Sequence, residues 1–552
     1  MNPMGAAAGH QNTQTTPAVA TDRRLRVITG SDSDSATVLK HLDTTPIRVV
    51  LPTGTPQWRH QVLALALVDL LGRLFPTIVI DVDPAAAAHS DLPPGAALLG
   101  ERLRVAAANG DLTPAAHADR PPVTVVIGAA APPDDHHGLV QHADAGGWQS
   151  YNGTVPSRLA DSVWPAIAIG ALAAACRAAG QATAAAMASI APSRAPETSA
   201  YASALTHRCS TDPLDEAHEP RPPSNGPSLN AVLVGAGSVG GATIYSLSMT
   251  PGLSGHLVVT DPQLLEDKNL DRALLATAAT TAARWPKVTA AEAALAHQVD
   301  LRVERYVGTV AEWVATRSRE TPLPLVLTAV DSAAARRSVQ DCLPLDLVNA
   351  ACHPDEITVS GHRTGDGPCV CCLHMEQVLD AQNIKIRLLA RATNINERMI
   401  AQFLVQDVPL ATDVLRHIER HRHLPAGALD RYENQTLEHL RAAELIYGAT
   451  EVSTANGRVA VAAPFVTALA GVLLAAELLK HADPQLHPYR LGPDGEHIKY
   501  EENRYAGPLH AMCSRPTRWP TSECLCRSTR RQRIIAARYQ LAAEPFNDDP
   551  RP

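Results

Sequence analysis

Aromatic residues are scarce in this chain of 552 residues: they make up 4%, with four Phe against 33 Gly and 43 Pro. The core must therefore be built mainly from Ala, Val and Leu, whose small side chains suit close packing of helices on sheets. An excess of basic residues is also missing, because 48 Lys and Arg stand against 56 Asp and Glu, a net charge of −8. A nucleic-acid partner, which needs a concentrated basic face, is therefore not expected.

Residues 1–24 lack the basic and then apolar segments of a secretory signal. The longest apolar stretch, Val459 to Ala476, contains Pro464 and Gly471 and runs directly into Glu477. This pattern predicts a buried core helix rather than a membrane-spanning one. We therefore expect a soluble, cytoplasmic protein without a membrane partner.

The length predicts several domains, since one compact core rarely exceeds a few hundred residues. Short β-like runs alternate with helical stretches in both halves, which favours α/β domains with mostly parallel sheets. The predicted segments are a disordered amino terminus (1–24), an α/β domain (25–192), a linker (193–228), a nucleotide-binding core (229–374), a helical insertion (375–449), the completion of that core (450–505) and a basic tail (506–552).

A glycine-rich turn opens the second half. Gly235, Gly237 and Gly240 follow the strand-like run AVLV and precede the helical run GATIYSLSM. Glycines at this spacing permit a tight turn, a close approach to phosphate and close helix–strand packing. Asp261 ends the next strand-like run, where it would accept hydrogen bonds from ribose hydroxyls. Taken alone, these residues fit an NAD-binding unit equally well.

The polar residues that follow are typical of a different family. They come in the order Asn269, Arg272, Lys287, Asp331 and Arg336. Order and spacing resemble the adenylating domain of the ThiF/MoeB/HesA superfamily, which includes the ubiquitin-activating enzymes. The resemblance covers about residues 230–480 together with the cysteines of the tail. The sequence departs from the family pattern at Gln263, where a second acid is common, and at Ala273, where Gln is common.

This resemblance implies ATP-dependent adenylation of the C-terminal carboxylate of a small ubiquitin-like protein or peptide. The products would be an acyl-adenylate, which passes to a sulfur or amine acceptor, and pyrophosphate. Arg272 and Lys287 would neutralise phosphate charge, and Asn269 would hydrogen-bond a phosphate or the attacking carboxylate. Asp331 would hold Mg²⁺, which prefers carboxylate and phosphate oxygens.

Two other functions use the same residues differently. An NAD(P)-dependent oxidoreductase would use the three glycines and Asp261 but would have no role for Arg272 or Asp331. A noncatalytic scaffold would keep the fold as a relic.

The ten cysteines include two separated clusters, Cys369-Val-Cys371-Cys372 and, far downstream, Cys513 with Cys524-Leu-Cys526. In a long intracellular chain such clusters suggest metal ligands before disulfides. They resemble the structural zinc site of the family, with Cys369, Cys372, Cys524 and Cys526 as the expected ligands. Cys371 or Cys513 could replace one of them.

Many relatives form a thioester on a cysteine of the insertion. Residues 375–512 contain no Cys. This favours an external acceptor for the activated carboxylate, or the use of an unusually placed thiol such as Cys352 or Cys371.

The first half repeats part of the pattern of the second half. Both contain a buried strand and a Pro-initiated, Ala-rich helix, but the first half has no glycine fingerprint. It is either a degenerate, inactive copy or an unrelated α/β domain that obeys the same packing rules. Homodimeric relatives borrow an Arg from a partner, and eukaryotic relatives use an inactive copy, so a homodimer or an internal pseudo-dimer is expected. Arg59 and Arg73 are candidates for the borrowed cation, the alternative being solvated helix ends.

Overall fold

The computed structural model describes most of the chain. The described residues are 35–54, 56–112, 121–128, 130–136, 138–159, 167–188, 199–214, 226–318, 321–352, 356–364, 368–374, 386, 389–390, 392–406, 408–421, 424, 426–440, 450–454, 457–492, 497, 499–503, 508–515 and 528–541.

The described residues of the first half form four α-helices and seven strands. In chain order they are α1 (Ser35–Thr44), β1 (Ile47–Val50), α2 (Trp58–Gly72), β2 (Ile78–Asp81), α3 (Leu99–Ala107), β3 (Val123–Ile127), β4 (Leu139–Gly146), β5 (Gln149–Gly153), α4 (Ile169–Met187), β6 (Ala200–Ser203) and β7 (Cys209–Ser210). The strands form one sheet in the order β2-β1-β3-β4-β5-β6-β7. The first four are parallel and the last three antiparallel.

The second half builds a larger sheet. Its core elements are β8 (Ser228–Val234), α5 (Ser238–Ser248), β9 (Ser254–Thr260), α6 (Ala278–Ala282), α7 (Lys287–Leu295), β10 (Leu301–Tyr306), α8 (Val310–Ala315), β11 (Leu325–Thr328), α9 (Ala333–Asp341), β12 (Asp346–Cys352), β13 (Glu356–Arg363) and α10 (Val370–His374). After the insertion come α14 (Pro464–Ala482), β16 (Lys499–Asn503), β17 (Met512–Ser514) and α15 (Thr529–Tyr539). The sheet order is β10-β9-β8-β11-β12-β13-β16-β17.

Both sheets have the same topology. In the second sheet, too, the strands from β10 to β12 are parallel and those from β13 onward antiparallel. Strands β9-β8-β11-β12-β13-β16-β17 repeat the order of β2-β1-β3-β4-β5-β6-β7, and β10 is an additional edge strand. In each half a helix follows the first strand, and an Ala-rich helix follows β5 in the first half and, beyond the insertion, β13 in the second. The prediction of a Rossmann-like, mostly parallel sheet preceded by a second α/β domain is confirmed.

The helices of the two halves meet between the sheets. In the first half α4 packs on α2, in the second α14 packs on α5, and α4 contacts α14. One continuous hydrophobic core extends through both halves. Helix α14 is long and apolar enough to cross a membrane, but 89% of its apolar window is buried inside the protein. The predicted core helix is therefore present, except that residues 459–461 belong to a strand.

The insertion has a small core of its own. Its described elements are α11 (Glu397–Gln406), α12 (Thr412–His421), α13 (Leu437–Leu440) and the hairpin of β14 (Thr450–Thr454) with β15 (Gly457–Val461). Eleven buried apolar residues between Leu389 and Leu440 form its cluster. The structure differs from the predicted boundaries at the linker 193–228, which contains β6, β7 and the start of β8, and at the tail, which contains β17. Strands this short have no sustained apolar pattern to reveal them.

Candidate active site

The glycine turn lies at the carboxyl end of β8. Gly235 has φ +92°, and a Cβ there would lie 2.8 Å from the carbonyl oxygen of Ala329, so both the conformation and the space require glycine. A Cβ on Gly240 would lie 1.8 Å from the carbonyl oxygen of Gly235, which explains the close packing of α5 on the turn. A Cβ on Gly237 would meet nothing within 4 Å. The open side of the turn therefore lies at Gly237, where α5 begins and presents backbone N–H groups.

Asp261 comes directly after β9 and is buried beside this turn. Its carboxylate accepts hydrogen bonds from the backbone N–H of Ala236 (2.7 Å) and of Gln263 (2.7 Å). The side chain thus connects the ends of two adjacent strands. In dinucleotide-binding folds an acid at the end of the second strand is the usual contact for a ribose.

Lys287 is the first residue of α7 and is buried, in contrast to a solvated surface lysine. Its Nζ donates to Oε1 of Gln263 at 2.5 Å. Burial lowers the pKa of Lys287, Asp261 and Asp331 oppose that shift, and Arg272 adds to it. The ammonium group therefore lies in the field of both strand-end carboxylates. Gln263, which occupies the usual position of an acid, was not predicted as a contact of Lys287.

Asn269 and Arg272 belong to the segment 266–276, which we call the site loop. The Asn269 side chain accepts a hydrogen bond from the backbone N–H of Glu266 at 2.9 Å, which closes a short 3₁₀ turn. Arg272 is about one quarter exposed and contacts the carboxylate of Asp271 at 3.3 Å. Asn269 is buried and Arg272 half-buried, so neither behaves as a solvated surface residue.

Asp331 is exposed and comes three residues after the end of β11. The buried Arg336 supports the adjacent backbone by donating to the carbonyl oxygen of Val330 at 2.8 Å and to Asn349 at 3.2 Å. Burial lowers the pKa of Arg336, and the nearby Asp331 opposes this shift. Arg336 is part of the sequence pattern that resembles the family, but no role was predicted for it.

The cysteines of the expected metal site are only partly described. The Sγ atoms of Cys369 and Cys372 are 3.6 Å apart and buried. Two thiolates on one tetrahedral zinc, each bound at about 2.3 Å, would be about 3.8 Å apart, so this pair fits half of such a site. Cys524 and Cys526 lie outside the described residues, as does the side chain of Cys371.

Cys513 and α15 lie on different parts of the second half. Cys513, on β17, packs against the main core, whereas Cys369 and Cys372 belong to a separate cluster. Helix α15 docks close to that second cluster, because Arg538 donates to the carbonyl oxygen of Cys342 at 2.8 Å. Which of Cys371 and Cys513 would replace an expected ligand stays a prediction.

Cys352 does not have the properties of a nucleophile. Burial raises the pKa of its thiol to about 12, although Arg336 is near. Its Sγ lies 3.7 Å from the carbonyl oxygen of Val466. Since the thiolate is the reactive form, this shift disfavours Cys352 as a nucleophile at neutral pH.

The corresponding edge of the first sheet is filled by its own side chains. His60, at the start of α2, contacts the carboxylate of Asp144 at 3.1 Å, and Arg59 lies 3.9 Å from the same oxygen. All three are buried, so the expectation that Arg59 is a solvated helix end is wrong. Gly128 packs against the imidazole of His60, and a Cβ there would lie 2.9 Å from it. Arg73 is also buried and contacts backbone, as described below.

The comparison with family sequence models agrees with this geometry. The model described as the ThiF family matches residues 227–516. The chain belongs to the ThiF family. The matched range contains every residue of the glycine turn, the site loop and the two strand-end carboxylates. Membership in this family supports an adenylyltransferase-type enzyme with a nucleotide-binding, Rossmann-like domain.

Individual relatives add little about function. The chain is 31% identical over 257 residues to the uncharacterized protein y4jF of Sinorhizobium fredii (strain NBRC 101917 / NGR234), which covers 45% of this chain and 48% of that protein. The match thus spans about half the length of the relative. A solved structure titled "Crystal Structure of SeMet PaaA" is 19% identical, with a TM-score of 0.20, and covers 24% of this chain and 42% of that one.

Proposed function

We propose that this ThiF-family protein adenylates the C-terminal carboxylate of a small ubiquitin-like protein or peptide with ATP. A carboxylate oxygen would attack the α-phosphorus, the bond from that phosphorus to the bridging oxygen would break, and pyrophosphate would leave. The observation that carries the proposal is the buried Lys287, which donates to Gln263 and lies in the field of both Asp261 and Asp331. A hydride-transferring enzyme needs no such second carboxylate next to the phosphates.

Each residue has a distinct part in this reaction. The open turn at Gly237 would bind phosphate, and Asp261 the ribose. Lys287 and Arg272 would neutralise the charge that develops on the α-phosphate and the leaving group, while the amide of Asn269 would orient an oxygen. Mg²⁺, when bound, neutralises phosphate charge, and the exposed carboxylate of Asp331 is the oxygen donor that would hold it.

The acceptor is proposed to be external. The insertion offers no thiol, because residues 375–512 contain no Cys, and Cys352 is half-buried with the pKa of its thiol raised. The acyl-adenylate would therefore pass directly to an amine or sulfur nucleophile of another molecule. An acyl adduct mapped by peptide mass spectrometry to a cysteine of this chain would contradict this part.

ATP–pyrophosphate exchange in the presence of candidate proteins that end in Gly-Gly tests the function. We expect Asp331→Ala to lower the exchange rate about 100-fold, since loss of one group that stabilises transition-state charge typically costs this much. Asp300→Ala is the matched control, because Asp300 is exposed at the opposite, amino-terminal end of the sheet. Exchange that survives in Asp331→Ala would refute the metal role. Tight NAD binding without ATP binding would favour the oxidoreductase instead.

A further inference from the structure

Arg73 reaches from the first half of the chain into the site loop of the second half. It follows α2 directly and is 1% exposed. Its Nη1 donates to the carbonyl oxygen of Leu270 at 2.7 Å, and its Nη2 to those of Leu274 at 3.4 Å and Ala276 at 3.3 Å. These carbonyls lie on both sides of Arg272 in the chain.

The guanidinium group is itself held firmly by the first half. Its Nε donates to Asp69 at 2.8 Å, and the other oxygen of Asp69 accepts from Asn109 at 2.9 Å. The backbone approaches closely behind it, since a Cβ on Gly110 would lie 2.3 Å from the carbonyl oxygen of Gly72. The rigid, planar fork of an arginine can serve one carboxylate and three carbonyls at once, which a lysine cannot.

The centre of the site loop is also held by apolar packing of Leu270, Ala273 and Ala276 and by its own hydrogen bonds. Between Asn269 and Ala276 it forms turn-type hydrogen bonds, from the N–H of Ala273 to the carbonyl oxygen of Asn269 at 2.9 Å and from that of Ala276 to Ala273 at 2.8 Å. Such turns leave the carbonyls of Leu270 and Leu274 directed outward. Arg73 supplies donors for them from 197 and 201 positions earlier in the chain.

We propose that Arg73 is a positioning residue, which fixes the site loop so that Asn269 and Arg272 are aligned with the phosphates and the attacking carboxylate. This inference rests on the proposed function. A cation borrowed from another subunit would contact the phosphate itself. Arg73 instead acts through the backbone, and so makes the first half necessary for alignment in the second. Misplacement of reacting groups by about 1 Å is enough to slow a reaction about 100-fold.

The test compares Arg73→Met, Arg73→Lys and the control Arg177→Met. Arg177 is also buried and also joins the halves, through Glu502 at 2.6 Å, but it does not contact the site loop. For Arg73→Met we expect kcat of ATP–pyrophosphate exchange to fall about 100-fold with the Kd of ATP nearly unchanged, because the glycine turn and Asp261 stay intact. Arg73→Lys should recover part of the loss, and Arg177→Met should keep kcat within about threefold.

Hydrogen exchange of the site-loop amides gives a readout that does not depend on activity. We expect these amides to exchange at least about tenfold faster in Arg73→Met and to be unchanged in Arg177→Met. Arg73→Met leaves the buried carboxylate of Asp69 without its arginine partner, which could prevent folding. The double variant Asp69→Asn/Arg73→Met removes that charge and keeps the test valid in this case. Unchanged hydrogen exchange of the site-loop amides in Arg73→Met, together with an unchanged kcat, would overturn the inference. If wild-type protein shows no pyrophosphate exchange, the proposed function fails, and unprotected loop amides in Arg73→Met would still support the anchoring.

Discussion

At the scale of single residues, charge buried between the two halves shapes the energetics. Glu477 on α14 contacts Lys480 and the imidazole of His207 (2.9 Å), and accepts from the backbone N–H of Leu491 at 2.8 Å. Burial alone would raise the pKa of Glu477, but Lys480 and His207 lower it to about 2. Removing one partner would leave a buried charge uncompensated, which is far costlier than the pair is favourable.

His481, which follows Lys480 on α14, makes the free energy of unfolding depend on pH. Burial lowers the pKa of its imidazole to about 4, and its Nε2 has no hydrogen-bond partner among the described residues. As pH falls below about 6.5, the unfolded chain binds this proton while the folded chain does not, so stability is lost between about pH 6.5 and pH 4.

We expect His481→Gln to remove up to about 1.4 kcal/mol per pH unit from the slope of unfolding free energy against pH in that range. Urea unfolding between pH 7 and pH 4.5 measures it. The control is His89→Gln, since His89 is 40% exposed. Equal slopes in His481→Gln and wild type would contradict the prediction.

The sequence predicted those site residues whose position follows from local pattern. Gly235 and Asp261 come directly after buried strands and Asp331 comes three residues after one. The carboxyl ends of parallel strands share one edge of a sheet. Their chemical roles stay predictions. Gln263 and Arg73 were not predicted as contacts, because their partners lie 24 and 197 positions away and no local pattern encodes such pairs.

At the scale of elements, the pairing of α14 with α5 depends on one small residue. A Cβ on Gly471 would lie 2.4 Å from the backbone oxygen of Val239. Backbone cannot move aside as a flexible side chain can, so the two helices would have to separate.

Gly471→Ala is therefore expected to destabilise the protein by about 1–3 kcal/mol, although Ala is the better helix former. Gly241→Ala is the matched control on α5, where a Cβ would make only an ordinary contact at 3.6 Å with Leu275. The thermal unfolding midpoints of the two variants and of the wild type measure this difference in stability. A stabilising Gly471→Ala would show that the helices are not closely packed there.

The tail is attached to the second half by α15. The hydroxyl of Tyr539 accepts from the N–H of Leu345 (3.1 Å) and donates to the carbonyl oxygen of Leu343 (3.0 Å). The sequence indicated only a basic tail here, since a helix of charged residues has a weak apolar pattern.

We expect the chain to bind one zinc ion through Cys369, Cys372 and the tail cysteines, and to lose it in Cys369→Ser. Removing zinc with a chelator should make the tail more sensitive to protease, because structural zinc contributes directly to folding. Metal analysis and limited proteolysis measure both effects, with Cys209→Ser as the control. A purified protein that contains no zinc, and whose tail resists protease equally well with and without the chelator, would exclude this site.

At the scale of the whole molecule, two sheets of equal topology face each other through their helices. Beyond the shared core, Arg177 pairs with Glu502, and Phe465 of α14 packs near Gly180 of α4, where a Cβ would lie 3.2 Å from its ring. The repeated strand–helix pair in the sequence fitted either a duplication or two unrelated α/β domains. The equal strand order of the two sheets favours the duplication. Strands as short as β6 and β7 leave too little pattern in the sequence for this order to be predicted.

The halves should therefore stay together without a covalent connection. We expect a protein cut at a protease site introduced within residues 215–225 to elute as one complex on gel filtration. The apolar helix faces between the sheets would otherwise be exposed to water. Either half expressed alone should aggregate for the same reason. Cut halves that elute separately and remain soluble would contradict the shared core.

The filled edge of the first sheet has a consequence for how such a protein can change over generations. In an assembly of identical subunits, every substitution appears in both, so each surface must serve two purposes. Here the two halves are different stretches of one chain, so a substitution in one half leaves the other unchanged. Arg59, His60 and Asp144 can therefore close one edge while the glycine turn keeps the other open. Under the proposed function the second half carries the site and the first half supports it, so each half can accept mutations that the other could not tolerate.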